Sequence, residues 1–197
     1  MELIRRVAIE PGRLGIFAGS FNPPTRAHVA LAEAALARVD EVMFVVPRAF
    51  PHKKFHGAAL EERLEMLRRI AEGEPRFSIA IADGGLFVDI AREVRGYYGD
   101  AELLFLCGRD AAERIAGWDY GDPLAFSRML DEFGLLVARR RGEYVAPSEF
   151  LHRVEALDVD GLDEISSTEV RERIRRNEDW RALVPAVIAG IVERVYS

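Results

Sequence analysis

Cysteine and histidine are scarce in this sequence, which has one cysteine, Cys107, and four histidines among its 197 residues. A single thiol forms no disulfide within the chain, and so few potential ligands exclude a cysteine-rich zinc site. A chain without disulfides suits a reducing compartment, so we expect a cytoplasmic location.

An excess of positive charge is also absent. The chain has 27 lysines and arginines against 33 aspartates and glutamates, which gives a formal net charge of −6. Binding to duplex nucleic acid depends on clustered cations that neutralise phosphates. The acidic balance therefore disfavours a general nucleic-acid binder, and we expect any anionic ligand to be small and locally held.

Long apolar runs are missing as well. The longest, residues 183–192, is about half of what a membrane-spanning helix needs. Residues 1–9 carry Glu2, Arg5 and Arg6 and so lack the uninterrupted apolar core of a signal peptide. We therefore expect neither membrane anchoring nor export.

The composition is otherwise that of an ordinary folded domain, since 49% of the residues are hydrophobic and 30% are charged. At roughly 100–200 residues per domain, the length fits one domain with a substantial core. We expect that single domain to span residues 1–197.

Short apolar runs alternate with amphipathic segments, which is the pattern of β-α-β units and a parallel sheet. The predicted strands are 14–18, 42–46, 77–82, 103–107, 135–138 and 154–159. The predicted helices are 26–39, 60–71, 88–98, 124–132, 168–176 and 185–196. We predict a doubly wound α/β domain with a mostly parallel sheet and a helical C-terminal tail at about 166–197. Such sheets bind ligands beyond the carboxyl ends of their strands, at the point where the strand order reverses.

The loop after the first predicted strand favours anion binding. It reads Gly19-Ser20-Phe21-Asn22-Pro23-Pro24-Thr25 and leads into a helix whose first turn holds Arg26 and His28. Glycine and serine permit a tight turn, the prolines stiffen it, and the threonine can cap the helix. Because the positive end of a helix repels cations, a bound anion explains Arg26 and His28 at this place. The alternative is an ordinary loop with a capping threonine and a solvated arginine.

A second helix start has similar chemistry. The segment Ile165-Ser166-Ser167-Thr168-Glu169-Val170-Arg171 brings three hydroxyls and an arginine to the start of a helix. Taken alone, Ser166 followed by Glu169 is a capping box. Hydroxyls and a guanidinium at a helix N-terminus are also what a triphosphate requires. We expect the two helix starts to face one cavity and to hold a nucleoside triphosphate together.

Both segments resemble motifs of the nucleotidylyltransferase superfamily. The first matches the phosphate-loop pattern G-x-F-x-P-x-[HT]-x-G-H at Gly19, Phe21, Pro23, Thr25 and His28. Ala27 stands where that pattern has its last glycine, and its methyl group narrows the approach of a phosphate to the backbone. The second segment matches the I-S-S-T-x-x-R signature throughout. The resemblance implies a Rossmann-like nucleotidyltransferase fold.

Further segments resemble one branch, the bacterial nicotinate mononucleotide adenylyltransferases. They are Pro47 with Pro51-His52-Lys53, Arg63-Leu64-Glu65-Met66-Leu67, Gly108-Arg109-Asp110 with Trp118, and Leu183-Val184-Pro185. The resemblance departs from the family at Gly85-Leu86-Phe87-Val88-Asp89-Ile90, where the family has S-Y-T-x-D-T and only Asp89 is kept. We expect Leu86, Phe87 and Ile90 to remove hydrogen-bonding groups from the acceptor side.

This resemblance implies an adenylyltransferase of NAD biosynthesis, which joins the 5′-phosphate of nicotinate mononucleotide to the AMP part of ATP and releases pyrophosphate. The implied catalytic residues are His28, Thr25 and Arg171. The implied ATP-binding residues are Gly19, Ser20, Phe21, Gly108, Asp110, Ser167 and Thr168. The implied acceptor-binding residues are Lys53, Asp89 and Trp118. We expect Mg²⁺ to be bound mainly through ATP phosphates, with no metal site built from protein side chains.

Several residues have a plainer alternative. Lys53 could be solvated, Asp110 could simply favour a helix N-terminus, and Trp118 could pack beside its neighbours. Of the run Arg139-Arg140-Arg141 we expect one member to contact nucleotide and the others to be solvated.

The function also has alternatives. The acceptor could be nicotinamide mononucleotide or another phosphorylated compound, with ATP or CTP as donor. Alternatively, the protein could be a nucleotide-binding regulator without turnover. The sequence leaves a homo-oligomer open.

Overall fold

A computed structural model of the protein describes residues 1–49, 56–116, 124–139, 152–159 and 165–197. Across these residues the chain forms seven strands and seven α-helices. The strands are β1 (Glu2–Arg5), β2 (Arg13–Ala18), β3 (Glu41–Pro47), β4 (Phe77–Ala82), β5 (Glu102–Gly108), β6 (Gly134–Arg139) and β7 (Val154–Asp158). The helices are α1 (Arg26–Ala35), α2 (Leu60–Ala71), α3 (Phe87–Tyr98), α4 (Arg109–Ala116), α5 (Ala125–Glu132), α6 (Ser167–Arg175) and α7 (Ala189–Tyr196). Two short 3-10 helices, Arg181–Leu183 and Ala186–Ile188, lie between α6 and α7.

The seven described strands form one sheet in the order β1-β4-β3-β2-β5-β6-β7. Neighbouring strands run parallel except β1, which is antiparallel to β4. The strand order reverses between β2 and β5, which pair directly with Ile16 opposite Phe105. Ligands of such sheets bind at this reversal. The loops after β2 and β5 therefore frame the candidate site.

The sheet is covered on both faces, which explains why its central strands are apolar throughout. Alternate residues of β5 point to opposite sides, so Leu104 and Leu106 join one cluster while Phe105 joins the other. The first cluster includes buried residues of α1, α2, α6 and α7, and the second includes those of α3, α4 and α5. No helix among the described residues is long and apolar enough to cross a membrane.

The predicted doubly wound, mostly parallel α/β fold with a helical C-terminal tail is confirmed. The bounds predicted for β4 and α2 agree with the structure to the residue. Helix α1 ends earlier than predicted, at Ala35, because Ala37 and Arg38 donate to carbonyls three residues back and tighten the chain into a turn. The last predicted helix begins as a 3-10 helix and becomes α-helical only at Ala189.

One strand and one α-helix were not predicted. Strand β1 is an edge strand with charged residues at both ends, Glu2 and Arg5, and so lacks an apolar run. Helix α4 follows β5 without a loop, and its eight residues include Arg109, Asp110 and Glu113. Both segments are short and contain charged residues, so neither gives a long apolar run in the sequence.

Glu41, the first residue of β3, is a fully buried carboxyl. The Tyr98 hydroxyl donates to its Oε1 at 2.8 Å, and the Arg6 guanidinium lies 5.2 Å from the centre of the Tyr98 ring. Burial raises the pKa of Glu41 above its ordinary value of 4.5, although the hydrogen bonding of the carboxylate opposes this. The carboxyl therefore makes stability depend on pH.

We expect Glu41→Gln to be more stable than the wild type at neutral pH. Because the pKa is raised by folding, the folded protein binds more protons than the unfolded chain between pH 4.5 and the raised value, and wild-type stability falls as pH rises through that window. Because glutamine does not titrate, the variant should not show this part of the decline in stability. Urea unfolding from about pH 4 to about pH 8 measures it. The exposed Glu33→Gln is the control. Parallel stability curves for wild type and Glu41→Gln would contradict the interpretation.

Candidate active site

The loop at residues 19–25, here called the phosphate loop, turns sharply as it leaves β2. The Gly19 amide still donates to Val45 O at 3.0 Å, as an extension of the sheet. Phe21 then adopts a left-handed backbone conformation with φ of 46° and is almost fully buried. Its ring packs edge-on against Phe17 and Phe44, with centroids 5.4 and 5.5 Å away. The Phe21 side chain thus anchors the loop in the core, and its implied contact with ATP can come only from the backbone.

His28 is held by the residue that precedes its helix. The Thr25 amide donates to His28 Nδ1 at 3.0 Å, and Thr25 Oγ1 lies 2.7 Å from the same nitrogen. Because an amide N–H can only donate, Nδ1 accepts, and the hydrogen of the neutral imidazole is placed on Nε2. Thr25 itself is fully buried. The structure therefore makes Thr25 the residue that orients the imidazole.

The start of α6 is bound to the phosphate loop by two side chains. Ser167 Oγ donates to Pro23 O at 2.8 Å, and the Arg171 guanidinium donates to Asn22 O. Arg171 also lies 3.3 Å from Thr168 Oγ1. The two helix starts are thus joined, although they lie about 140 residues apart in the sequence.

Ser166 caps helix α6 as predicted, but Glu169 does not complete the capping box. Ser166 Oγ accepts from the Glu169 amide at 3.1 Å, as an N-cap residue does. The Glu169 carboxylate accepts from Arg173 at 2.6 Å, so it does not complete the box. Capping by Ser166 leaves the next two hydroxyls, on Ser167 and Thr168, for other contacts.

Both helix starts line one cavity of about 310 Å³. Its wall includes Ala27 and His28 from α1, Gly108 from the end of β5, and residues 166–168. A Cβ atom at Gly108 would meet no atom within 4 Å, so a glycine here leaves the cavity open. The volume lies at the lower end of the range of about 300–1,000 Å³ that is usual for small-molecule sites. The convergence expected from the sequence is observed.

Neither Arg26 nor Arg171 belongs to the described wall of this cavity. Arg171 borders a second cavity of about 420 Å³ together with Arg175, Glu62 and Tyr196. Arg26 is exposed, and its guanidinium is 3.4 Å from Ala182 O in the C-terminal tail. That carbonyl gives Arg26 a partner of its own, so a bound anion is not needed to explain this cation.

Arg63 supports the phosphate loop and was not predicted as a site residue. Its side chain is only 5% exposed, and Nη1 donates to Ser20 O at 3.0 Å. Burial lowers the pKa of the guanidinium. The R-x-x-M-L resemblance contained Arg63, and that was the only signal of its importance.

The carboxylates predicted to bind substrate lie outside the 310 Å³ cavity wall. Asp110 is exposed in the first turn of α4, directly after β5. Asp89 lies half-buried in the first turn of α3. A Cβ atom added at Gly84 would lie 2.6 Å from the Cβ atom of Asp89. Both residues follow strands at the carboxyl edge of the sheet.

The segment that departs from the family contributes less to the surface than the sequence suggested. Ile90 is fully buried, and the Phe87 ring stacks on Phe105 with centroids 4.3 Å apart. The expectation that Ile90 alters the acceptor side is therefore wrong, because its side chain belongs to the core. Leu86, at 40% exposure, is the apolar replacement that faces outward.

Some predictions concern residues outside the described ranges. Lys53, Trp118, Arg140 and Arg141 lie there, and the Arg139 side chain is likewise not described. Among the described residues, no group of three or more histidines, cysteines, aspartates or glutamates could hold a metal ion. The polar groups on the cavity wall are hydroxyls and an imidazole, which suit phosphate oxygens and a magnesium ion carried by them.

The sequence and the fold both have close counterparts among known proteins. Residues 16–173 match the family model described as Cytidylyltransferase-like. Among solved structures, Plasmodium falciparum nicotinic acid mononucleotide adenylyltransferase complexed with NaAD is similar, with a TM-score of 0.69 and 19% identity over 92% of this chain and 95% of that one. The same enzyme complexed with APC gives a TM-score of 0.67 at 18% identity, over 92% of this chain and 94% of that one. At these identities the likeness establishes the fold.

Curated relatives are more similar in sequence. A protein of Salinibacter ruber named "Probable nicotinate-nucleotide adenylyltransferase" is 32% identical over 91% of this chain and 94% of its own length. A Thermus thermophilus protein of the same name is also 32% identical, over 92% of this chain and 97% of its own. The chain therefore belongs to the cytidylyltransferase-like family, in the branch whose curated members are named nicotinate-nucleotide adenylyltransferases.

Proposed function

We propose that this protein transfers the AMP part of ATP to the 5′-phosphate of nicotinate mononucleotide, in NAD biosynthesis. The observation that carries the proposal is the cavity whose wall holds His28 on one side and residues 166–168 on the other. Two helix N-termini beside one cavity suit a polyanion such as a triphosphate. The names of the curated relatives support nicotinate mononucleotide as the acceptor.

The reaction needs positioning more than covalent chemistry. An oxygen of the acceptor phosphate forms a bond to the α-phosphorus of ATP, and the bond from that phosphorus to the bridging oxygen breaks. Pyrophosphate leaves with the electron pair, so no enzyme intermediate is required. Catalysis then rests on holding two polyanions in line and stabilising the charge that develops on the phosphoryl oxygens.

On the ATP side, we propose that His28 donates from Nε2 to oxygens of the α- and β-phosphates, in the orientation set by Thr25. Ser167, Thr168 and Arg171 hold the β- and γ-phosphates. Gly19, Ser20 and Phe21 contribute loop backbone, Gly108 leaves space, and Asp110 accepts from ribose hydroxyls. Held mainly by the ATP phosphates, Mg²⁺ would supply neutralising charge beside these residues.

On the acceptor side, we propose that Lys53 meets the mononucleotide phosphate, Trp118 stacks on the pyridine ring and Asp89 contributes a carboxylate. A single domain over residues 1–197 carries both halves of the reaction. Its cytoplasmic location and its oligomeric state stay predictions.

Pyrophosphate release tests the function directly. The panel pairs ATP or CTP with nicotinate mononucleotide, nicotinamide mononucleotide and unrelated sugar phosphates. We expect the fastest release with ATP and nicotinate mononucleotide. Faster release with another acceptor or with CTP would replace the proposed substrates. Tight nucleotide binding without release from any pair would indicate a regulator.

His28→Ala should lower kcat by about 10²–10³-fold, because it removes one donor to charge that develops in the transition state. The Kd for ATP should change little, since the helix starts and the hydroxyls remain. Steady-state kinetics and calorimetry give the two values. His152→Ala, at an exposed histidine, is the control. An unchanged kcat in His28→Ala would remove this residue from the mechanism.

Arg171→Ala should weaken ATP binding by at least about tenfold, because a guanidinium–phosphate contact is a strong, charge-assisted hydrogen bond. Calorimetry with ATP and Mg²⁺ measures the change. The matched control is Arg176→Ala, near the same helix, whose exposed guanidinium pairs with Glu172. Equal affinity in Arg171→Ala and wild type would rule out the triphosphate role.

A further inference from the structure

Asn22 is the most enclosed polar side chain of the phosphate loop after Thr25, with 3% of its surface exposed. Its Nδ2 donates to His56 O at 3.0 Å, and its Oδ1 accepts from the Ala58 amide at 3.0 Å. A backbone carbonyl only accepts and an amide N–H only donates, so these two bonds fix which way the side-chain amide points. The Asn22 side chain thereby bonds to the backbone of residues 56–58, as the backbone of a neighbouring β-strand would.

Tyr196 in α7 completes this arrangement. Its hydroxyl lies 2.5 Å from Asn22 Oδ1, and because that oxygen can only accept, the hydroxyl is the donor. Burial raises the pKa of the Tyr196 hydroxyl above its ordinary value of 10.0, so the hydroxyl is protonated at physiological pH, as a tyrosine ordinarily is. We call Asn22, Tyr196 and residues 56–58 the Asn22 clamp.

Gly57 permits the close approach within the Asn22 clamp. Its φ is +148°, a conformation that favours glycine. A Cβ atom at this position would lie 2.0 Å from Asn22 Nδ2, far inside van der Waals contact. Any larger residue must therefore displace either the backbone at 56–58 or the Asn22 side chain.

The Asn22 clamp is linked to the proposed catalytic residues, so a small displacement of Asn22 would also move them. The carbonyl of Asn22 accepts from Arg171, and the next carbonyl, of Pro23, accepts from Ser167. Three residues after Asn22, Thr25 orients His28. The Asn22 side chain thus connects α7 and residues 56–58 to the segment that joins the two helix starts.

We propose that Asn22 and Tyr196 are positioning residues of the transfer reaction. The Tyr196 hydroxyl fixes the Asn22 side chain, and the Asn22 side chain fixes the phosphate loop in the geometry that aligns His28 with the α-phosphorus. The kinetic consequence rests on the proposed function. The conformational consequence, a more rigid phosphate loop, does not.

Tyr196→Phe removes only the hydroxyl. We expect kcat to fall by about three- to tenfold, the range that one ordinary hydrogen bond spans, with the KM for ATP changed by less than about twofold. The melting temperature should fall by no more than a few degrees. Tyr97→Phe is the matched control, since it also removes a hydroxyl, one that donates to Met1 O at 2.9 Å away from the phosphate loop. This control should have wild-type kcat.

A double-mutant cycle with Gly57→Ala tests whether Tyr196 acts through Asn22. Gly57→Ala alone should lower kcat, because it displaces the Asn22 amide. In that background Tyr196→Phe should have little further effect, whereas Tyr97→Phe should behave as it does in the wild type. Additive effects of Tyr196→Phe and Gly57→Ala would overturn the link through Asn22.

Amide hydrogen exchange at residues 19–25 gives a readout that does not need turnover. Exchange should be faster in Tyr196→Phe than in wild type or Tyr97→Phe. Equal exchange and equal kcat in the two tyrosine variants would overturn the proposal. So would a lowered melting temperature with wild-type kcat, which would show a purely structural role.

A wild-type protein that releases no pyrophosphate would contradict the proposed function, while the exchange comparison would still decide on the Asn22 clamp.

Discussion

Two helix N-termini are held beside one cavity, and the candidate site depends on this constraint. Each N-terminus carries partial positive charge from its unpaired backbone N–H groups, so α1 and α6 repel each other when no anion lies between them. The hydrogen bonds from Ser167 to Pro23 and from Arg171 to Asn22 oppose that repulsion. Under the proposed function, the positive ends are already in place, which spares a triphosphate the cost of assembling them.

The backbone of the phosphate loop is held by other parts of the chain. Its carbonyl oxygens would repel phosphate if they faced the cavity. Instead, side chains of three helices donate to these oxygens or to the Asn22 side chain. Arg63 of α2 donates to Ser20 O, α6 donates to the carbonyls of Asn22 and Pro23, and Tyr196 of α7 donates to the Asn22 side chain. The C-terminal tail is therefore part of the site, although it lies far from β2 in the sequence.

Most of the fold could be predicted because burial on both faces of a parallel sheet leaves a simple pattern. Strands such as β4 are continuous apolar runs, and α2 shows the helical period of a surface helix. The pattern fails for elements that are short and rich in charged residues. Strand β1 is defined by its pairing with β4 across about 80 residues, and α4 is a short charged helix without a preceding loop. Ile90 was misjudged for a related reason, since a motif position does not reveal whether a side chain faces ligand or core.

The sequence by itself determined the two helix starts and their chemistry, because glycine, proline, threonine and serine act on the backbone within a few residues of where they stand. It also determined the family, since both motifs are contiguous. Only the tertiary structure decided that Thr25 is buried behind its hydrogen bond to His28, and that Arg63 and Tyr196 support the phosphate loop. The support from Arg63 and Tyr196 arises from hydrogen bonds between groups 43 and 174 residues apart, and such bonds exist only once α2 and α7 have packed against the sheet.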